Sequence, residues 1–200
     1  MRFTPTQNVS RVHWFHGTRC TNPSLFEKRG IIPLNQILPE LQRTLDRLAK
    51  EHGILQSTEI SKGYGHYAFL MNTKKQSNVD QGPCAMLNLE AVTNAAKYDC
   101  HSYIDMPEII EDYAYVKYGN FAKKLLNVYR KIASPVVVEF WCKPEDSNCP
   151  RLHYIIGTML RYLYTVMHKC EDGSWLRCNI CYSGCGNIVD SSQILRIFKP

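Results

Sequence analysis

No stretch of the 200-residue chain comes near the roughly 18 consecutive apolar residues that a membrane span requires, so a membrane partner is not expected. The opening residues, MRFTPTQNVS, lack an apolar leader. That points to a cytoplasmic protein, or to one delivered into a host or competitor cell without an N-terminal signal peptide. Internal repeats and low-complexity segments are missing, which argues against a solenoid and against a long linker. Nor is there a block of one charge. The 24 Lys and Arg against 18 Asp and Glu leave a net +6, spread along the chain without the basic and aromatic interleaving of a dedicated nucleic-acid binder. Nucleic acid stays open as a substrate, but charge does not select it.

Cysteine, by contrast, is plentiful. Nine in this length is many, yet the number is odd and no leader precedes them, so most read as reduced thiols rather than a disulfide framework. A hydrophobic fraction of 44% with 21% charged residues lets one domain, spanning 1–200, bury a real core.

Along the chain, residues 11–16 form a short apolar run, Val12, Trp14 and Phe15, consistent with a strand. Asn22-Pro23 then opens a short helix that Gly30 stops. A second helix is expected after Pro39, with Leu41, Leu45 and Leu48 on one face and Gly53 closing it. GYGHYAFLMN, residues 63–72, reads as a strand behind two glycines, and TKKQSNVDQG as an exposed loop. PCAMLN is a further strand and LEAVTNAAKY a helix. Pro107-Glu108 opens a longer helical region that Gly119-Asn120 interrupts, a helical insertion near 99–132. SPVVVEFWC is the clearest strand, and the positions Leu152, Ile155, Ile156, Met159, Leu160, Leu163 and Met167 predict an amphipathic helix with a face wide enough to be largely buried. The tail reads as two strands around a Ser-Gly-Cys-Gly turn. Strands interleaved with helices predict an α+β domain.

The chemistry concentrates at WFHGTRC. His16 ends an apolar run, which is more often structural than ligand-binding. Gly17, however, lets a ligand approach the backbone, where an amide and a carbonyl can pair with a planar carboxamide, and Thr18 adds a hydroxyl. FHGTR, a short helix and then GIIPL resembles the first motif of the ADP-ribosyltransferase superfamily. The order GPCAMLNLEAVTNAAKY, SPVVVEFW and CGNIVDSSQILRIF is similar to the rest of that family's domain, so the resemblance extends over most of the chain.

The resemblance implies a split β-sheet core flanked by helices and NAD as substrate. His16 would bond a ribose hydroxyl, Gly17 and Thr18 the nicotinamide carboxamide, and Arg19 the pyrophosphate, against the alternative of a solvated arginine. The family's stacking aromatic falls on Tyr67 in GHYAF, with Tyr64 nearby, or on Leu87 if the AVTNAAKY helix sets the register. A glutamate is expected near the start of the closing strands, where a preorganised carboxylate stabilises the oxocarbenium-like state. Gly186 stands there, and Asp190 lies four residues on, about 13 Å along a strand. Glu139 is the other candidate carboxylate, on a strand that is structural in the family.

The implied reaction cleaves the nicotinamide–ribose bond and passes ADP-ribose to a protein or nucleic-acid acceptor, in the manner of a toxin or effector. Three alternatives stand beside it. One is an inactive nucleotide-binding or interaction module. Another is a zinc adaptor on Cys170, Cys178, Cys181 and Cys185, spaced C-x7-C-x2-C-x3-C. The third is a cysteine nucleophile, Cys100 beside His101 or Cys142.

Overall fold

The computed structural model describes residues 9–57, 64–76, 81–98, 100–168 and 178–200. Among them, five strands form one antiparallel sheet in the order β4-β2-β1-β3-β5. They are β1 (Val12–Cys20), β2 (Cys84–Met86), β3 (Ser134–Cys142), β4 (Cys181–Ser183) and β5 (Ile194–Phe198). The helices are α1 (Leu25–Arg29), α2 (Leu34–Glu51), α3 (Gly65–Gln76), α4 (Leu89–Thr93), α5 (Glu108–Tyr118), α6 (Ala122–Ile132) and α7 (Leu152–Met167). The fold is therefore mixed α and β. Its described strands make a single sheet where a split pair was expected.

The β-branched run of β3, paired on both edges by β1 and β5, is also buried on both faces, with Val136, Val137, Val138 and Phe140 almost inaccessible. Its register with β1 sets Trp14 against Phe140, His16 against Val138 and Gly17 against Val137. Since side chains alternate, Trp14 and His16 project from one face, and Gly17 and Arg19 from the other. Trp14, Val138, Phe140 and Tyr182 make a core on the first face. A second core joins the helices, through Leu45 and Leu48 of α2, Met71 of α3, Ile110 of α5 and Leu125 of α6. Asp46 ties α2 to α5 by accepting from Tyr113 (2.8 Å), Tyr118 (2.6 Å) and Lys117 (2.7 Å).

Several elements differ from the sequence reading. Helix α2 begins at Leu34, capped by Pro33, and carries Pro39 inside it. That proline forfeits one backbone bond near the helix start, and the buried Leu38, Leu45 and Leu48 outweigh the loss. Residues 65–76 are helical rather than a strand followed by a loop. The reason is tertiary: Met71 is buried in the helical core, and Lys74 reaches Asp112 (2.7 Å) and Glu108 (3.0 Å) on α5.

Helix α7 forms as its spacing predicts, but its apolar face is not buried. Ile155 is covered, while Leu160 is 61% and Met167 78% exposed. Periodicity establishes that a helix has an apolar face without establishing what covers it. The two closing strands do flank the Ser-Gly-Cys-Gly turn, yet they occupy opposite edges of the sheet, β4 beside β2 and β5 beside β3.

Candidate functional site

A cleft of about 750 Å³ opens where β1 and β2 part. The two strands pair at Phe15↔Met86, and next to that pair the His16 ring reaches across to the main chain of β2. His16, Gly17, Thr18 and Arg19 all line the cleft, together with the Gly30-Ile31 segment and residues 81–86. The structure thus brings together four of the residues singled out at WFHGTRC.

Half-buried His16 has its tautomer set by geometry. Nδ1 lies 2.7 Å from the carbonyl oxygen of Cys84, which can only accept, so Nδ1 carries the proton. Burial pushes the imidazole pKa down, outweighing the opposing pull of that carbonyl, and the ring is neutral at physiological pH. Nε2 is then left with a lone pair, able to accept from a hydroxyl. Gly17 is required for packing as well as for backbone access. A Cβ there would overlap Val92 Cγ1 of α4 and lie 3.0 Å from Ile104 Cγ2, so α4 could not close on the strand.

Arg19 serves the fold, contrary to a pyrophosphate role. Nη1 donates to the carbonyls of Arg130 (2.8 Å) and Ala133 (2.7 Å), and Nε to that of Ile104 (3.3 Å). Its fork satisfies carbonyls at the end of α6 that have no partner within the helix. The cleft's exposed arginine is instead Arg29, at the end of α1, paired with Glu40 at 3.0 Å.

Tyr64 and Tyr67 are not beside His16. Tyr67 stacks on Tyr115 of α5 with ring centroids 4.5 Å apart, and Tyr64 stacks on the same ring at 5.4 Å and donates to Asn120. Both belong to the helical side of the molecule because their segment is a helix. Leu87, the other register for the stacking aromatic, packs against the sheet core.

Glu139 is likewise engaged elsewhere. His13 Nδ1 donates to it at 2.9 Å, and Arg196 Nε donates to its other oxygen. Burial alone would raise its pKa, but the His13 and Arg196 bonds outweigh burial and hold the carboxyl below its ordinary value. A depressed carboxylate adds stability above its unfolded value, near about 4.3, that is lost as pH falls through the folded one. Glu139→Gln is therefore expected to lower the midpoint of urea unfolding at pH 7 and to lose most of that difference under acid. A variant that kept the wild-type urea midpoint at pH 7 would contradict this role.

Gly186 adopts a positive φ of 84° in the turn after β4, and its N–H donates to the Gly82 carbonyl at 2.8 Å. The turn is thereby held at the end of the cleft wall, with a glycine where a carboxylate was expected. Asp190 instead caps a short turn, accepting from the Ser192 N–H at 2.8 Å.

Two carboxylates line the cleft, Glu40, which Arg29 engages, and Glu108, the first residue of α5. Burial would raise the Glu108 pKa, but Lys74 at 3.0 Å overrides that and lowers it, and Tyr103 adds a hydrogen bond. Sequence reasoning had only Pro107-Glu108 as a helix opening, where an acidic residue is explained by the helix dipole.

The cysteine alternatives separate as well. Cys170 lies outside the described residues. Cys178 is buried with its thiol 3.6 Å from Thr165 of α7, and Cys185 sits by Ser183, 3.4 Å away. No group of three or more His, Cys, Asp or Glu that could hold a metal occurs among the described residues. Cys142 is buried against the Trp14 indole, and His101 Nε2 is 2.7 Å from the Met106 carbonyl. No described helix is long and apolar enough to cross a membrane. Comparison with known proteins returns no match, whether to family models, to characterised proteins or to solved structures.

Proposed function

We propose that the cleft binds an NAD-type dinucleotide and that the chain is an ADP-ribosyltransferase-like protein, transferring ADP-ribose to a macromolecular acceptor. The observation that carries this reading is His16. It is neutral, with its one N–H spent on Cys84, and offers Nε2 as an acceptor beside the glycine of a cleft-lining strand. A ribose hydroxyl is a natural donor for that nitrogen. Arg29 is suited to the pyrophosphate, whose charge a guanidinium matches well.

Loss of nicotinamide leaves positive charge on the ribose. Of the two cleft carboxylates, Glu40 is paired with Arg29, and Glu108, ionised through Lys74, is suited to stabilise that charge. The acceptor, protein or nucleic acid, then attacks the same carbon. A second reading, a nucleotide-binding module without turnover, is favoured by Gly186, which has no side chain where the resemblance implies a carboxylate.

Calorimetric NAD binding and nicotinamide release test both. His16→Asn keeps a donor for the Cys84 carbonyl and removes Nε2, and should weaken binding at least about tenfold, or about 1.4 kcal/mol, without a change in melting temperature. Glu108→Gln should leave binding within a few-fold and slow nicotinamide release about a hundredfold. Binding without turnover in the wild type selects the module. Neither binding nor turnover rejects the dinucleotide reading.

A further inference from the structure

We propose that Cys84 and Cys181 are a redox-active dithiol lining the cleft, forming a reversible disulfide between β2 and β4 when a peroxide enters. Both residues line the cleft and both are exposed. They sit diagonally across an antiparallel pair, since Cys84 faces Ser183 and Met86 faces Cys181. The two thiols are nevertheless hydrogen-bonded to each other.

Cys181 is the attacking member. The Cys84 S–H and the Ala85 N–H both donate toward its sulfur, and together they outweigh desolvation and bring its pKa down to about 7. As a thiol it donates to the Tyr182 carbonyl at 3.2 Å, and it gives up that bond on ionising. The remaining cysteines supply a contrast within the same molecule. Cys142 and Cys149 are also a hydrogen-bonded pair, but they are buried in the sheet core, and burial pushes Cys149 up to about 12. Cys20 is raised to about 11 for the same reason. Both pairs are hydrogen-bonded thiols, and exposure and ionisation separate them.

The chemistry balances with peroxide as the oxidant. The Cys181 thiolate attacks one peroxide oxygen, the O–O bond breaks, hydroxide leaves and the sulfur becomes a sulfenic acid, oxidised by two electrons. The Cys84 sulfur then attacks that sulfur. The S–S bond forms, the S–O bond breaks, and the hydroxyl departs as water with the Cys84 proton. A dithiol reductant returns both electrons and restores the pair. Because the Cys84 carbonyl is what holds His16, the bridge would tie the His16 anchor to β4. That link to the nucleotide rests on the function proposed above, whereas the disulfide does not.

The test is peroxide titration of the folded 200-residue chain, quenched by alkylation and read by intact mass and peptide mapping. The expected product has lost two hydrogens, carries a Cys84–Cys181 cross-link and reverts with dithiothreitol. Cys142 and Cys149 should be recovered as free thiols, reacting at least about tenfold more slowly than Cys181. Cys84→Ser should leave Cys181 as a sulfenic acid that dimedone traps, and Cys181→Ser should abolish both products. The proposal is overturned if no Cys84–Cys181 cross-link forms, if Cys181 pairs instead with another cysteine, or if the buried pair oxidises as fast. The wild-type map decides even where a variant fails to fold, and it decides whether or not NAD binds.

Discussion

Gly30→Ala is expected to destabilise the protein by about 4 kcal/mol, the sum of two costs of about 1 to 3 kcal/mol each. The first is conformational. Gly30 ends α1 with φ 69° and ψ −160°, a combination that is essentially confined to glycine. The second is steric and cannot be relieved by turning a side chain. An added Cβ would overlap the Val189 carbonyl oxygen and lie 3.0 Å from backbone atoms of Asp190 and Ser191.

That contact belongs to a two-way bridge. The Ile31 N–H donates to the Val189 carbonyl at 2.9 Å, and the Val189 N–H returns a bond to Ile31 at 3.1 Å. Through it the segment after α1 is held against the chain that leads to β5, and Gly30 and Ile31 both line the cleft. A loss of this size is a large share of a typical domain stability of about 5 to 15 kcal/mol. Urea denaturation should show a lower midpoint at an unchanged slope. A midpoint within error of the wild type would show that the Gly30 backbone is not held as described.

The second large effect is expected at Trp14, in the middle of β1. Its side chain is fully buried, with the ring centroid of Tyr182 at 5.6 Å and the indole N–H donating to the Cys142 sulfur at 3.1 Å. Trp14→Ala should cost about 3 to 5 kcal/mol, because the cavity lies in the core on one face of the sheet, whose hydrogen-bonded strands cannot collapse far. Trp14→Phe separates packing from hydrogen bonding. It keeps most of the aromatic contact, removes the donor and should cost about 1 to 2 kcal/mol. Thermal or urea unfolding of the pair measures the split, and equal losses for both would mean that the bond to Cys142, rather than packing, dominates.

Both sites lie close to the His16 cleft, and they show which of its parts were legible from the chain. The strand bearing His16, the helix before GIIPL and its stop at Gly30 were readable because each is written within a few residues: an apolar run, a proline and a glycine. SPVVVEFWC was readable for the same reason, as β-branched side chains suit a pleated, buried strand. Local pattern also reached the opening of α5 at Pro107-Glu108, but not its meaning.

Meaning depended on partners distant in the chain. GHYAFLMN resembled a strand until Met71 and Lys74 met α5, and this shift removed Tyr64 and Tyr67 from the neighbourhood of His16. Arg19 looked available to a ligand until the end of α6 supplied two carbonyls and Ile104 a third for its fork. Glu139 stood out as a carboxylate in an apolar strand, and only the neighbouring strands revealed that His13 and Arg196 engage it. Glu108 and the Cys84–Cys181 pair gave no sequence signal, because an acidic helix start and scattered cysteines are ordinary until a sheet and a helix close around one cleft.

Residues a few positions apart thus determined where backbone turns and where it extends, since φ and ψ preferences, caps and apolar spacing act over short range. Burial and the identity of each polar side chain's partner were decided by the tertiary structure. Those depend on contacts between segments far apart in the chain, and a polar group's chemistry follows from the partner that satisfies it.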